Sequence, residues 1–264
     1  MVDDTIIVKE YNDGKSGIEI SNKYNISSSY VYKVLKRNNV KSRSNKINSR
    51  KYNFNQNYFD TIDTEEKAYW LGFLYADGYV TKDYFGISLK KDDIGHLEKF
   101  NRSIESNYPI HIYTSRGYSE TEYCRLLLKS EYTVNRLIEK GLFRNKSKIL
   151  EHPKCIPVQL YRHFIRGYVD GDGSIHKNGH TFGISIIGTP NMINWIMGIF
   201  NKEMNIPHSK LRKRNKDDVV VDCRYFGENC YKIINYLYKD SKIYLDRKME
   251  RYILANSFFC RLYQ

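Results

Sequence analysis

What this sequence lacks narrows it first. It has no apolar run long enough to cross a bilayer, no apolar stretch behind a charged start that would mark a signal peptide, and no C-terminal CaaX box for a lipid anchor. A chain off the membrane and inside the cell is expected: cytoplasmic, nucleoid-associated, or in an organelle or phage-infected cell. The five cysteines, Cys124, Cys155, Cys223, Cys230 and Cys260, include no C-x-x-C pair, and no histidine stands in an H-E-x-x-H spacing, so neither zinc nor redox work is indicated. Proline is scarce at 5 in 264 residues, with none in the first fifty.

Positive charge is what the chain has in excess. Against 30 Asp and Glu stand 43 Lys and Arg, a formal net charge of +13, which is more than solubility requires and implies an anionic partner, nucleic acid foremost. Tyrosine, used 24 times, accompanies abundant Asn, Lys and Ile, the usage an AT-rich genome encodes, so charge alone does not decide the partner. With 41% hydrophobic residues the chain can bury a sizeable core.

The first fifty residues differ from the rest, with ten basic against five acidic side chains, a net of 10 − 5 = +5. Thr5 to Tyr11 has a short helical pattern, Ser16 precedes another from Ile18 to Asn25, and Ser27 caps a stronger one running to Asn39. Two helices joined by a tight polar turn resemble a helix-turn-helix, which would put Ser28, Ser29, Tyr30, Tyr32 and Lys33 near base edges, with Lys41 and Arg43 continuing the basic run. The competing possibility is a helical hairpin packed on the main domain. Residues 46–62, rich in Asn, Ser, Lys and Arg toward their start, are expected to form a basic linker able to lie along phosphates.

From about Asp63 the chain repeats itself once. WLGFLYADGYV (Trp70 to Val80) is echoed by FIRGYVDGDGSI (Phe164 to Ile175), and YFGISLK (Tyr84 to Lys90) by TFGISII (Thr181 to Ile187). The offsets agree, 172 − 77 = 95 for the aspartates and 183 − 86 = 97 for the strand glycines, with a longer hairpin turn in the second copy taking up the difference. Each copy then predicts a hairpin, a helix (Asp92 to Glu105; Asn191 to Met204), a second hairpin (Ile110 to Lys129; Lys210 to Phe226) and a further helix (Glu131 to Lys140; Glu228 to Leu237), an αββαββα order twice over.

Both motif segments place small residues four apart, Gly72 with Ala76 and Gly167 with Gly171, so two helices can approach closely along those faces. The first is apolar almost all round, as a helix at the centre of a protein would be. Each ends on an aspartate, although a helix C-terminus disfavours an anion by a few tenths to ~1 kcal/mol. Brought together, Asp77 and Asp172 would also repel, an arrangement that makes sense around divalent cations held by hard oxygen ligands, as phosphodiester hydrolysis requires.

WLGFLYADG and IRGYVDGDG resemble the two LAGLIDADG motifs of a single-chain homing endonuclease, over roughly Asp63 to Tyr252. The resemblance implies an α+β fold of two pseudo-twofold-related αββαββα repeats, residues 63–150 and 151–264, forming a saddle of antiparallel sheets behind a small all-α helix-turn-helix module, residues 1–45. It implies a monomeric site-specific double-strand DNA endonuclease with Mg²⁺ or Mn²⁺ as cofactor, the metals held by Asp77 and Asp172 with the carbonyls of Ala76 and Gly171. The sixth motif position holds Tyr75 in the first copy, where the family pattern has an acid, whereas Asp170 keeps it. Family members also place a basic residue near the metals; Lys146 is the best match in the first copy, with Lys148 in reserve, and Lys239 or Lys242 in the second.

Sequence readout would fall to strand side chains: Lys82, Tyr84, Ser88, Lys90, Tyr113, Arg116, Arg125 and Lys129 in the first half, and Lys177, Ser185, Lys210, Arg212, Arg214 and Arg224 in the second. The partner expected is double-stranded DNA with a long specific target. The alternatives are a non-cleaving transcription regulator and an intron RNA maturase on the same fold.

Overall fold

A computed structural model describes residues 2–42, 51–115, 120–213, 215 and 217–262. Arg43, Arg116 and Arg214 therefore lie outside the described residues. The chain divides into two compact units, Met1–Asn53 and Phe54–Gln264.

The first unit holds three short helices, α1 (Asp4–Asn12), α2 (Gly17–Tyr24) and α3 (Ser28–Arg37). Side-chain caps start each of them: Asp3 accepts from the Thr5 amide, Ser16 and Glu19 form a reciprocal capping box, and Ser27 accepts from the Tyr30 amide. Ile7, Tyr11, Ile20, Val31, Val34 and Leu35 form a small core between them. Asn25, in the left-handed conformation at φ 51°, ends α2 and opens the tight turn into α3.

The second unit begins earlier than expected. Residues 54–62 are not linker: Phe54, Tyr58, Phe59 and Ile62 are buried in the main core, and the Asn55 amide donates to the Ile104 carbonyl at 2.8 Å. Their polar neighbours in sequence masked four apolar side chains whose burial outweighs them.

Next comes the first motif helix, α4 (Glu65–Asp77), capped by Thr64 and buried from Ala68 through Tyr75. It leads into a four-stranded antiparallel sheet of order β1-β2-β4-β3, made of β1 (Gly78–Val80), β2 (Tyr84–Lys90), β3 (Ile110–Ser115) and β4 (Thr121–Lys129). Helix α5 (Ile94–Ser103) connects β2 to β3, and α6 (Glu131–Glu139) closes the first repeat. The second repeat runs α7 (Tyr161–Asp172), β5 (Gly173–Asn178), β6 (Thr181–Gly188), α8 (Pro190–Met204), β7 (Val221–Phe226) and α9 (Gly227–Tyr238). Its sheet has three strands, β5-β6-β7. Among the described residues of the hairpin expected from Lys210 to Phe226 only β7 joins the sheet, together with an isolated bridge between Arg212 and Asp222. The segment Leu211 to Asp218 is almost wholly charged and lacks the apolar alternation that would bury a strand face. A final helix the αββαββα order did not contain, α10 (Asp246–Leu262), packs on α9 and β5 through Ala255 and Phe259.

Two motif helices, α4 and α7, form the centre. They meet backbone to backbone: a Cβ added at Gly72 would stand 2.0 Å from the Phe164 carbonyl oxygen, and one at Gly167 2.0 Å from that of Tyr69. Gly72→Ala and Gly167→Ala must therefore push the two repeats apart. Each is expected to destabilise the protein by about 1–3 kcal/mol or more, the cost of overpacking a filled core, measured as a lowered denaturation midpoint.

Candidate active site

The close crossing carries both motif aspartates to one place. Asp77 ends α4 and Asp172 ends α7, at the residue where each helix gives way to a strand. Across the contact, a Cβ on Gly171 would lie 2.4 Å from the Ala76 Cβ and 3.1 Å from Asp77 Oδ2, so the small residue brings one helix end against the other's carboxylate. Burial and, after it, the charge of Asp77 push the Asp172 carboxyl up to about 6, with Lys146 and Lys248 opposing them. Asp77 is also raised, chiefly by burial, with Lys146, Arg247 and Lys248 opposing. Both aspartates remain partly exposed, and Asp77 lines a cleft of about 490 Å³ with Gly171, Ser88, Lys90, Asp92 and Arg247.

Two lysines close the site. Lys146 opens a short 3₁₀ turn after α6 and donates from Nζ to the Ala76 carbonyl at 2.6 Å. Burial lowers its pKa, against the pull of Asp172 and Asp77. Lys148, the reserve, is exposed. In the second repeat the basic residue at the site is Lys248, only 4% exposed, whose Nζ donates to the carbonyls of Val169, at 3.3 Å, and Gly173. Burial pushes it down to about 8, while Asp170, Asp77 and Asp172 hold it up.

Lys239 and Lys242, expected in that role, sit at the opposite end of the motif helices. The Lys242 amide donates to Glu65, the first residue of the thirteen-residue α4 and about 18 Å along it from Asp77. The Lys239 carbonyl accepts from Arg162, near the start of α7, and both lysine side chains are exposed. Chain separation from α9 misleads here, because an extended stretch runs from Tyr238 back along the helix pair before α10 begins. One signal pointed to Lys248: it stands in the first turn of a helix, where the dipole disfavours a cation.

The two carboxylates are hard oxygen donors at adjoining helix ends, Asp77 on the wall of the cleft, and donors of this kind fit a divalent cation such as Mg²⁺ or Mn²⁺. Among the described residues no group of three or more His, Cys, Asp or Glu is placed to hold a metal. Magnesium accepts such a sparse donor set, one or two carboxylates completed by water and phosphate oxygens. The Ala76 carbonyl is engaged by Lys146, and Gly171 lines the cleft. His176 and His180 are four apart in sequence, yet they flank a hairpin turn instead of sharing a helical face.

Strand register sorts the expected nucleic-acid contacts. Tyr84 pairs with Lys129, Ser88 with Arg125 and Lys90 with Tyr123, while Tyr113 stands opposite Tyr123, so these residues share the sheet face away from Phe85, Ile87 and Leu126. The Arg125 guanidinium lies over the Tyr113 ring at 5.4 Å. Lys82 is exposed in the β1–β2 turn. In the second sheet Ser185 pairs with Arg224, which ion-pairs with Asp222. Lys177, by contrast, pairs with Phe182 on the face that packs on α10, and His176 takes the polar side with Ser185, because a one-residue step in a strand reverses the face. Lys210 and Arg212 are exposed in the segment before β7. In the first unit Ser29, Lys33 and Lys41 are exposed, whereas Tyr30 is partly buried and turns its hydroxyl to Asp4 at 3.4 Å.

The raised Asp172 carboxyl has a consequence for stability. A carboxyl held above its ordinary pKa stabilises the fold when protonated, so its contribution is fully present below about pH 4 and is lost as pH rises through about 6. In metal-free protein Asp172→Asn should raise the melting temperature at pH 7 and flatten that decline. The gain is on the order of 1–2 kcal/mol after discounting for partial exposure, measured by thermal denaturation across pH 4 to 7 in chelator.

No family model matches the chain. Over 181 residues, 68% of the chain, it is 25% identical to the DNA-directed RNA polymerase subunit Rpo1C of Methanocaldococcus jannaschii, and it spans about a fifth of that protein's length (20%). Solved structures with a similar course include the LAGLIDADG meganuclease I-AabMI bound to uncleaved DNA (12% identity, 73% of this chain and 91% of that one, TM-score 0.48). Others are the homing endonuclease I-WcaI bound to its DNA recognition sequence (13%, 69% and 85%, 0.49) and the I-LtrWI LAGLIDADG homing endonuclease bound to target DNA (13%, 78% and 92%, 0.46).

Proposed function

We propose that this chain is a metal-dependent, site-specific DNA endonuclease that cuts both strands of a duplex. One observation carries the proposal: Asp77 and Asp172, 95 residues apart, stand near enough for each carboxylate to meet the same pair of buried lysines, at the centre of a duplicated fold where Asp77 lines an open cleft. A fold that gained only stability would have no use for two anions and two cations at the ends of its central helix pair, since each buried charge costs several kcal/mol unless paired.

Asp77 and Asp172 would hold divalent metal, which when bound activates water and stabilises the leaving oxygen of a phosphodiester. Lys146 and Lys248 offset the carboxylates' charge and offer ammonium groups to order water or a phosphate at the cleft. The exposed sheet face with Tyr84, Ser88, Lys90, Arg125 and Lys129, together with Arg224 in the second sheet, would meet the grooves, and Lys82, Lys210 and Arg212 the phosphates. In the N-terminal unit α2 and α3 would act as a helix-turn-helix, with Ser29 and Lys33 facing bases and Lys41 the backbone. Since one chain carries both halves of the site, the working species is a monomer.

Incubating the protein with the DNA that flanks its gene should give double-strand scission with Mg²⁺ and none in chelator. Asp77→Asn and Asp172→Asn should each lower the rate by more than about a hundredfold, a loss that even an outer ligand partner can reach, and leave duplex binding intact. Binding without scission at any metal concentration would remove the nuclease and leave the regulator. Lys33→Ala and Lys41→Ala should weaken binding, and for a phosphate contact the log-affinity against log-salt slope falls by about one.

A further inference from the structure

The sixth motif position carries Tyr75 in one repeat and Asp170 in the other, 170 − 75 = 95 apart, the same offset as the site aspartates. Both side chains are almost wholly buried, with exposures of 1% and 0%. Neither faces the cleft. Each instead grips the chain just after the last helix of its own repeat. The Tyr75 hydroxyl donates to the carbonyl of Lys140, the residue that ends α6. Next comes Gly141 at φ +98°, where a Cβ would stand 2.3 Å from that hydroxyl, so the turn is shaped around the tyrosine. Lys146 follows five residues later.

Asp170 makes the corresponding grip with acceptors. Its Oδ1 accepts from the Tyr238 hydroxyl, the end of α9, at 2.6 Å, and its Oδ2 from the Leu245 amide, just before α10, at 2.7 Å. Tyr69 of the first repeat donates to Oδ2 at 2.6 Å. One turn back on α7, the buried Arg166 donates to the carbonyls of Leu237 at 3.0 Å and Ile243 at 2.9 Å, and to Glu65 at 2.7 Å. Both ends of the stretch between α9 and α10 are thus fastened to the motif helix, and Lys248 lies three residues past the second fastening. The tyrosine must donate because it faces a carbonyl, and the aspartate must accept because it faces an amide and two hydroxyls.

We propose that Tyr75 and Asp170 are matched positioning residues, each clamping the segment that delivers its repeat's lysine, Lys146 or Lys248, onto the backbone carbonyls at the end of the motif helices. The consequence for cleavage rests on the nuclease function proposed above; the clamp itself does not.

Amine acylation of the full-length chain, read lysine by lysine by mass spectrometry, tests the clamp without any activity. Tyr75→Phe should raise labelling of Lys146 about five- to tenfold, the effect of one lost buried hydrogen bond, and leave Lys248 unchanged. Asp170→Asn should do the reverse. Labelling that stays unchanged in both variants, or that rises equally at both lysines in either, overturns the proposal, the second pattern marking general loosening. Should Asp170→Asn fail to fold, hydrogen exchange of the Leu245 amide in the unaltered chain decides: protection like that of the α7 core is expected, and exchange at loop rates overturns the clamp. With target DNA, either variant should lower kcat with KM unchanged and accumulate nicked circles, one strand slowing more than the other. Selective labelling in a chain that never cuts would sustain the clamp and dismiss the nuclease; cutting by both variants without selective labelling would do the opposite.

Discussion

The structure depends on how near two helices can come. Where α4 crosses α7 the glycines at 72 and 167 place each backbone against the other's carbonyl, leaving no room for even a methyl group. Close crossings of this kind are rigid, because they have no side chains to rearrange and every displacement opens a gap. The rigidity is what allows two carboxylates to be held in a confrontation that a looser contact would relax.

The electrostatics follow from that geometry. Asp77 and Asp172 both lose solvent, and Asp172 also feels the charge of Asp77, so both are harder to ionise than ordinary carboxylates, and the molecule answers with Lys146 and Lys248 tucked under the same helix ends and Arg247 at the rim, where it pairs with Asp93 at 3.0 Å. The lysines in turn are harder to protonate than usual because they too are buried. Four groups that each resist their charged state alone are compatible together. Behind them Arg166, Glu65, Asp170, Tyr69 and Tyr238 form a second polar set in which the buried charges have partners, tying the two repeats to each other away from the cleft.

Much of this was legible in the residues. The duplication, the motif helices and their small-residue faces follow from spacing alone, and Asp77 and Asp172 stand out as anions at helix ends, where local physics opposes them. Lys146 was picked out as the best match in RNKSKIL to the basic residue that the family resemblance implies, and the structure puts it on the Ala76 carbonyl. Lys248 was not, because seven residues of irregular chain and the start of α10 separate it from α9, and nothing in their composition shows that Arg166 and Asp170 hold that stretch along the helix pair. Phe54 to Ile62 looked like linker for a similar reason: four apolar side chains among Asn, Gln, Asp and Thr count as core only when a surface is there to receive them. Lys177 shares its face with Phe182 and not with Ser185 because strand parity depends on a register set by the partner strand.

The sequence by itself determined local matters: the two motif helices, the hairpins that follow them and the two acids at the helix ends, since periodicity, capping and residue size act over a few positions. Tertiary structure alone decided which lysine reaches those acids, which sheet face is free and where the core begins. Those outcomes depend on contacts between residues distant in sequence, such as Asn55 with Ile104, Lys146 with Ala76 and Lys242 with Glu65, and their geometry exists only once the chain has closed on itself.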